Sequence, residues 1–212
     1  MRNSHVCKMK FITFEGCDFC GKSTQVKLLK KFFESKQKKV FITREPGGSN
    51  FAEQIRNLLL LNKEITDPLI EYLLLAAARK DHVDTVIKKK LQKGYYVISD
   101  RFYDSSLCYQ GYYKNLDVKV IEKIKNITIN QFQPDITFII NISISELKKR
   151  IAMKRTEYNL YDKKGIKFHQ IIRNGYLEIA GDNVERIILI DGDKAITEIQ
   201  EEIIRIVQEK IL

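Results

Sequence analysis

Tryptophan is absent from this chain, proline occurs three times and cysteine four times. So little proline, beside only ten glycines, excludes a collagen-like or low-complexity architecture. Four cysteines are too few, and too unevenly spaced, for a disulfide-stapled scaffold, so Cys7, Cys17, Cys20 and Cys108 are read as free thiols. No apolar run approaches the ~20 residues needed to cross a bilayer, and the first residues, MRNSHVCKMKF, lack the apolar centre of a secretory signal. A cytoplasmic protein with no membrane contact is expected, with residues 1 to 8 as a mobile leader.

At 212 residues, 44% of them hydrophobic, the chain can bury one continuous core, and a single domain over residues 1 to 212 is expected. The net charge of +10 favours anionic partners without choosing among them. Part of the excess sits in scattered lysines such as Lys88, Lys89 and Lys90, which read as a solvated helix face.

Five β-branched or aromatic runs punctuate the chain: Met9 to Phe14, Val40 to Thr43, Tyr95 to Ser99, Ile136 to Ile142 and Arg186 to Ile190. Helical patterns separate them, which implies parallel strands joined by crossover helices. Runs such as VFIT, FIINI and IILI are apolar on both faces, as strands covered by helices on both sides should be. The expected fold is therefore α/β, a three-layer arrangement around a five-stranded parallel sheet. Val26, Leu29 and Phe33 form one helical stripe, and Ile196, Ile199, Ile203, Val207 and Ile211 form another; both are expected to face the core. A long helix should start at Asp67-Pro68 and end at Gly94. Residues 154 to 167, KRTEYNLYDKKGIK, carry no sustained apolar stripe and read as a mobile excursion.

Between the first strand and its helix lies GCDFCGKST, residues 16 to 24. Gly16 to Ser23 follows the pattern G-x-x-x-x-G-K-[ST], with a strand before it and a helix after it. Gly16 and Gly21 let the backbone wrap an anion, with amide groups and the helix N-terminus directed at phosphate oxygens. Lys22 is then expected along the β- and γ-phosphates and the Ser23 hydroxyl on Mg²⁺; Cys17, Asp18, Phe19, Cys20 and Thr24 complete the loop. The competing reading, a C-x-x-C metal or redox centre, lacks support elsewhere. Cys7, Cys108, His5, His82 and His169 are scattered and offer no second ligand pair. A disulfide between Cys17 and Cys20 would deform the loop, and a helix N-terminus lowers a thiol pKa, so oxidative inactivation is a hypothesis to test.

A phosphate loop alone suits a switch, an ATPase or a kinase. Two further segments follow strands: TREPGGS, residues 43 to 49, and SDRFYDSSLCYQG, residues 99 to 111. In a parallel sheet such residues collect in one crevice, so Arg44, Asp100 and Arg101 should meet above the phosphate loop.

Taken in order, FEGCDFCGKSTQ, REPGGS and DRFYDSSLCYQG resemble the thymidylate kinase family, whose members transfer phosphate from ATP to dTMP. The resemblance spans about residues 10 to 180. It implies a P-loop NTPase fold with a flexible lid, here about residues 154 to 167, with ATP and Mg²⁺, and usually a homodimer; no nucleic-acid partner is expected, because the sequence has no RNA-recognition aromatic pattern, zinc finger or concentrated basic helix. Carried over by residue, Asp100 binds Mg²⁺ and Arg44 the acceptor phosphate. Arg101 neutralises charge near the transferring group, and Asp18 contacts the sugar's 3′-hydroxyl. Arg79 reads the pyrimidine edge, while Ser105, Ser106, Tyr109 and Gln110 wall the sugar and base, with Tyr109 opposing a 2′-hydroxyl. Another nucleoside monophosphate kinase, and a nucleotide switch or nucleic-acid-binding ATPase, are the rival readings.

Three positions depart from the family pattern. Phe19 stands where many relatives have glycine and some an arginine; Leu160 stands where a lid arginine often sits, which leaves Arg155 as the expected replacement, with Lys154, Lys163 and Lys164 behind it. Leu75 replaces a phenylalanine that stacks on thymine, so weaker base discrimination is expected.

Overall fold

The structure is a computed structural model and describes residues 10–61, 66–153 and 165–212. Most of the expected lid, the leader, and the positions of Arg155, Leu160, Cys7 and His5 lie outside the described residues.

Five parallel strands form the sheet: β1 (Phe11–Glu15), β2 (Val40–Arg44), β3 (Tyr96–Asp100), β4 (Ile136–Asn141) and β5 (Ile187–Asp191), in the spatial order β2-β3-β1-β4-β5. The expected strands are all present, with ends displaced by one or two residues. β1 is buried along its whole length, and β4 along all but its last residue. β2 and β5 are edge strands and only partly buried, so VFIT and IILI do not have the two covered faces expected of them. Their continuous apolar character reflects sheet pairing and one covered face.

Helices pack on both faces. After β1 comes α1 (Lys22–Ser35), whose Val26, Leu29 and Phe33 are buried; the Phe33 ring stacks on Tyr96 with centroids 4.5 Å apart. The β2–β3 connection contains α2 (Asn50–Leu61), α3 (Pro68–His82) and α4 (Lys88–Gln92). Asp67 caps α3 by accepting hydrogen bonds from the Leu69 and Ile70 amides, and Pro68 occupies the first turn, where no amide is needed. The long helix expected here is interrupted by one π-helical stretch, Val83–Ile87, before Gly94 ends it at φ +80°.

Past β3 the chain runs through α5 (Tyr103–Ser106), a second π-helical stretch (Leu107–Tyr113) and α6 (Val118–Thr128). The remaining helices are α7 (Ile144–Met153), α8 (Ile166–Asp182) and α9 (Ile196–Lys210). Ile166 and Lys167, expected in the excursion, therefore open α8. On α9, Ile199, Ile203 and Val207 are buried as expected, but Ile196 is 57% exposed: its backbone carbonyl accepts from Gln25 of α1 at 3.0 Å while its side chain faces solvent. Nor are Lys88 and Lys90 simply solvated: Lys88 pairs with Asp84, and the Lys90 ammonium lies 4.4 Å from the Phe41 ring centroid.

Candidate active site

The loop between β1 and α1 is shaped by two glycines. At Gly16, φ is +132°, and a Cβ there would stand 2.7 Å from the Ile140 carbonyl oxygen and 2.8 Å from Cys20 Sγ. Only glycine fits. Gly21, at φ +102°, turns the chain into α1, leaving the first amides of that helix directed at the loop's mouth. Phe19 is held at φ +66°, a conformation glycine adopts without strain.

Lys22 bends back across the loop, donating to the carbonyls of Gly16 (3.0 Å) and Cys17 (2.8 Å). Ser23 Oγ, in the first turn of α1, donates to Asp100 Oδ2 at the end of β3 at 2.7 Å, so hydroxyl and carboxylate meet beside the phosphate loop. Arg101 follows at φ +72°. Its guanidinium reaches Asp18 Oδ1 (2.6 Å), the Gly16 carbonyl (3.0 Å), Ser105 Oγ (3.2 Å) and Tyr176 Oη (3.0 Å).

Lys22, Ser23, Thr24, Asp18, Phe19, Arg44, Asp100 and Arg101 line one cavity of about 330 Å³ at the C-terminal ends of the strands. The cavity is also lined by Arg56 and Glu45, neither assigned a role from sequence. Arg56 donates to the Pro46 carbonyl at 2.8 Å, and Arg44 donates to both Glu53 carboxylate oxygens at 3.0 Å. Burial and the positive charge of Arg44 both lower the Arg56 pKa, although Glu53 opposes them. Cations crowded in this way favour a bound anion.

The expected acceptor wall lies behind this cavity and is joined to it by hydrogen bonds. Buried Arg79 donates from Nε to Glu45 Oε2 (2.6 Å) and from Nη2 to Ser106 Oγ (3.0 Å). Leu75 is half-buried one helical turn before it on α3. Ser105 Oγ donates to Glu15 Oε2 at 2.6 Å, and Gln110 donates to Glu71 at 2.7 Å. The Arg101 guanidinium carbon lies 5.1 Å from the Tyr109 ring centroid.

Sequence reasoning missed Glu15. This fully buried carboxylate accepts from the Phe102 amide (2.7 Å), from Ser105 and from Tyr176 Oη (2.8 Å). Burial, then the charge of Asp104, raise its pKa to about 7 against the lowering by Arg101. Arg150 on α7 was also missed. It donates to the carbonyls of Phe19 (3.3 Å), Cys20 (3.2 Å) and Gly192 (2.8 Å), tying the phosphate loop to α7 and to the turn after β5.

Residues 14–203 match the family model described as thymidylate kinase. The chain belongs to the thymidylate kinase family. It is 41% identical over 203 residues to the thymidylate kinase of Mycoplasma capricolum subsp. capricolum, covering 95% of each chain. It is also 42% identical over 189 residues to that of Citrifermentans bemidjiense, covering 86% of this chain and 84% of the other. The crystal structure of thymidylate kinase from Ehrlichia chaffeensis aligns with a TM-score of 0.74 and 34% identity, covering 93% of this chain and 97% of that one.

As a thymidylate kinase family member, the chain is an enzyme on the P-loop fold, consistent with the five parallel strands and the phosphate loop. Among the described residues no cluster of three or more His, Cys, Asp or Glu could cage a metal ion. The Ser23–Asp100 pair nevertheless fits Mg²⁺, because two hard oxygen donors suffice for a cation that keeps its other positions for water and phosphate oxygens.

Proposed function

We propose that this enzyme transfers the γ-phosphate of ATP to dTMP, yielding dTDP and ADP for dTTP synthesis, through the residues gathered at the cavity. The observation that carries the assignment of roles is the convergence of Lys22, Arg44, Arg56 and Arg101 on one cavity beside the phosphate-loop helix.

In this reading the loop amides and Lys22 hold the ATP phosphates. Arg44 and Arg56 clamp the dTMP phosphate, and the forked geometry of arginine suits two phosphate oxygens at once. The attacking oxygen is already anionic, so the protein needs no general base, and catalysis consists of in-line positioning and charge neutralisation. Arg101 supplies positive charge between the two phosphates, held there by Asp18, Tyr176 and the Gly16 carbonyl. Ser23 and Asp100 would hold Mg²⁺, which would neutralise charge on the donor phosphates when bound. Arg155 is the proposed lid arginine.

Arg79 faces the base, and Tyr109 crowds a ribose 2′ position. We assign the apolar surface of α2 and α3 to a homodimer contact: Leu69, Ile70 and Leu73 are 38%, 54% and 49% exposed, beside Leu58 at 42%. No helix among the described residues is long and apolar enough to cross a membrane.

The test is coupled ADP release with ATP and Mg²⁺ against dTMP, dUMP, dCMP, dGMP and UMP, for wild type and Arg155→Ala. Turnover with dTMP that fades for UMP and collapses in the variant is expected. Preference for another monophosphate overturns the acceptor assignment, and unchanged turnover in Arg155→Ala removes Arg155 from the mechanism.

A further inference from the structure

Behind Arg79 stands a chain of buried polar groups that touches neither the phosphate loop nor the wall of the cavity except through Glu45. The Glu45 carboxylate receives Arg79 Nε on one oxygen at 2.6 Å and meets His82 Nδ1 on the other at 3.2 Å. His82, wholly buried, places its second ring nitrogen 2.6 Å from Thr43 Oγ1. Thr43 lies on β2, Glu45 just past its end, and Arg79 and His82 on the last turn of α3.

Two further features show that this chain is built rather than incidental. Gly48 has φ +85°, and a Cβ there would stand 2.3 Å from His82 Nε2 and 2.4 Å from Thr43 Oγ1, so the loop backbone closes directly over the pair. The π-helical stretch of the long helix begins at Val83, the residue after His82. A π turn shifts the helical register and often marks a functional position. Burial raises the Glu45 pKa, but Arg79 and His82 outweigh it and hold the carboxyl below its usual range, so Glu45 stays an acceptor for both.

We propose that His82 and Thr43 are positioning residues for base recognition, acting through Glu45 to set the plane of the Arg79 guanidinium. The proposal rests on the thymidylate kinase reading above, with Arg79 toward the base. Nε of Arg79 is committed to Glu45, and Nη2 to Ser106 and the Phe102 carbonyl; among the described residues Nη1 makes no hydrogen bond, and in this reading it meets the substrate. Arginine donates and never accepts, so it favours the carbonyl of thymine over the amino group at the same place on cytosine. That discrimination depends on orientation, because a guanidinium free to tilt can satisfy itself on other acceptors.

The experiment compares wild type with Thr43→Val, His82→Phe, His82→Asn and His82→Gln, measuring KM for dTMP, KM for ATP, kcat and the dTMP-to-dCMP ratio of kcat/KM. His82→Phe is expected to raise KM for dTMP and to lower the selectivity ratio by about tenfold each, with kcat and KM for ATP within about twofold. Thr43→Val, which removes one hydroxyl at nearly constant volume, should move the same two quantities by about threefold. Asparagine carries its amide nitrogen near the Nδ1 position and glutamine near Nε2, so His82→Asn should retain more selectivity than His82→Gln. Thermal unfolding of Thr43→Val gives a folded control should a His82 variant fail to fold. Selectivity unchanged in Thr43→Val and in every folded His82 variant overturns the relay, as does a loss that falls equally on KM for ATP. Wild type inactive on dTMP overturns the underlying assignment instead.

Discussion

Arg101 Nη2 lies 2.6 Å from Asp18 Oδ1, which pins the loop after β3 to the phosphate loop after β1. Burial disfavours the charge on each partner, yet each is held in its charged form. The Asp18 carboxyl is lowered by Arg101 and Lys22, and Arg101 is raised by Tyr109, Tyr176, Asp18 and Glu15. Asp18 therefore orients the arginine as well as facing the cavity.

Arg101→Lys should keep the charge and lose the fork that serves Asp18, Gly16 and Tyr176 together. A fall in kcat of about 10²-fold is expected in the ADP-release assay, the scale of losing one preorganised donor at a transition state. Activity within a few-fold of wild type would show that charge alone suffices.

Asp100→Asn tests the metal assignment. The variant preserves shape and the bond to Ser23 but removes the negative charge, so half-saturation by Mg²⁺ should shift upward by about tenfold or more. KM for dTMP should move little: Asp100 and Arg44 are neighbours across β3 and β2, but the Asp100 carboxylate bonds Ser23 while the Arg44 guanidinium is turned to Glu53 and Arg79 to Glu45. An unchanged Mg²⁺ titration would remove Asp100 from the metal site.

The phosphate loop was legible because its chemistry tolerates few residue types at fixed spacing, and the strands on either side fix what the spacing means. Glu15 was not legible. It is the last residue of β1, and its partners Ser105 and Tyr176 are 90 and 161 residues away, so nothing local marks it as the buried centre of a network. Arg56 reads as one polar residue of an amphipathic helix until α2 is folded against the REPGG loop. Glu45 could be seen as part of that motif, but its role depends on Arg79, 34 residues on. Local patterns specify elements, whereas these sites come from how distant elements meet.

Stability should depend on pH through Glu15. Its ordinary carboxyl pKa of 4.5 rises to about 7 in the fold, so between those values the native state holds a proton that the unfolded chain has released. That contribution is complete below about pH 4.5 and is lost as pH rises through 7, a change on the order of 3 kcal/mol. Asp18 and Glu45, held low, act oppositely: their contribution exists above their unfolded values and is lost in acid. The difference between Glu15→Gln and wild type isolates the first effect. Urea unfolding should show the variant gaining on wild type from pH 5 to pH 8, and a difference flat with pH would refute it.

The two thiols of the phosphate loop should make the enzyme sensitive to a dithiol oxidant. Cys17 and Cys20 are free and buried, and Lys22 Nζ lies 3.7 Å from Cys20 Sγ. Burial opposes ionisation of Cys20, but the hydrogen bond with Cys17 and the Lys22 charge lower its pKa to about 6; the same hydrogen bond and burial raise Cys17. One thiolate is thus available at neutral pH. Diamide accepts two electrons and two protons overall from the dithiol as the Sγ–Sγ bond forms. Closing that bond draws on the Cys17 carbonyl, which accepts from Lys22 at 2.8 Å, and so displaces the lysine assigned to ATP. Activity should fall in diamide and return with dithiothreitol, slowly in both directions because the buried thiols react only as the loop opens. The Cys17→Ser, Cys20→Ser double variant should keep its own activity through the same treatment. Cys108 is buried and its thiol is pushed well up, so it should not react. Equal losses in the variant would assign the effect to another thiol, and no loss in wild type would leave the pair a packing feature of the loop.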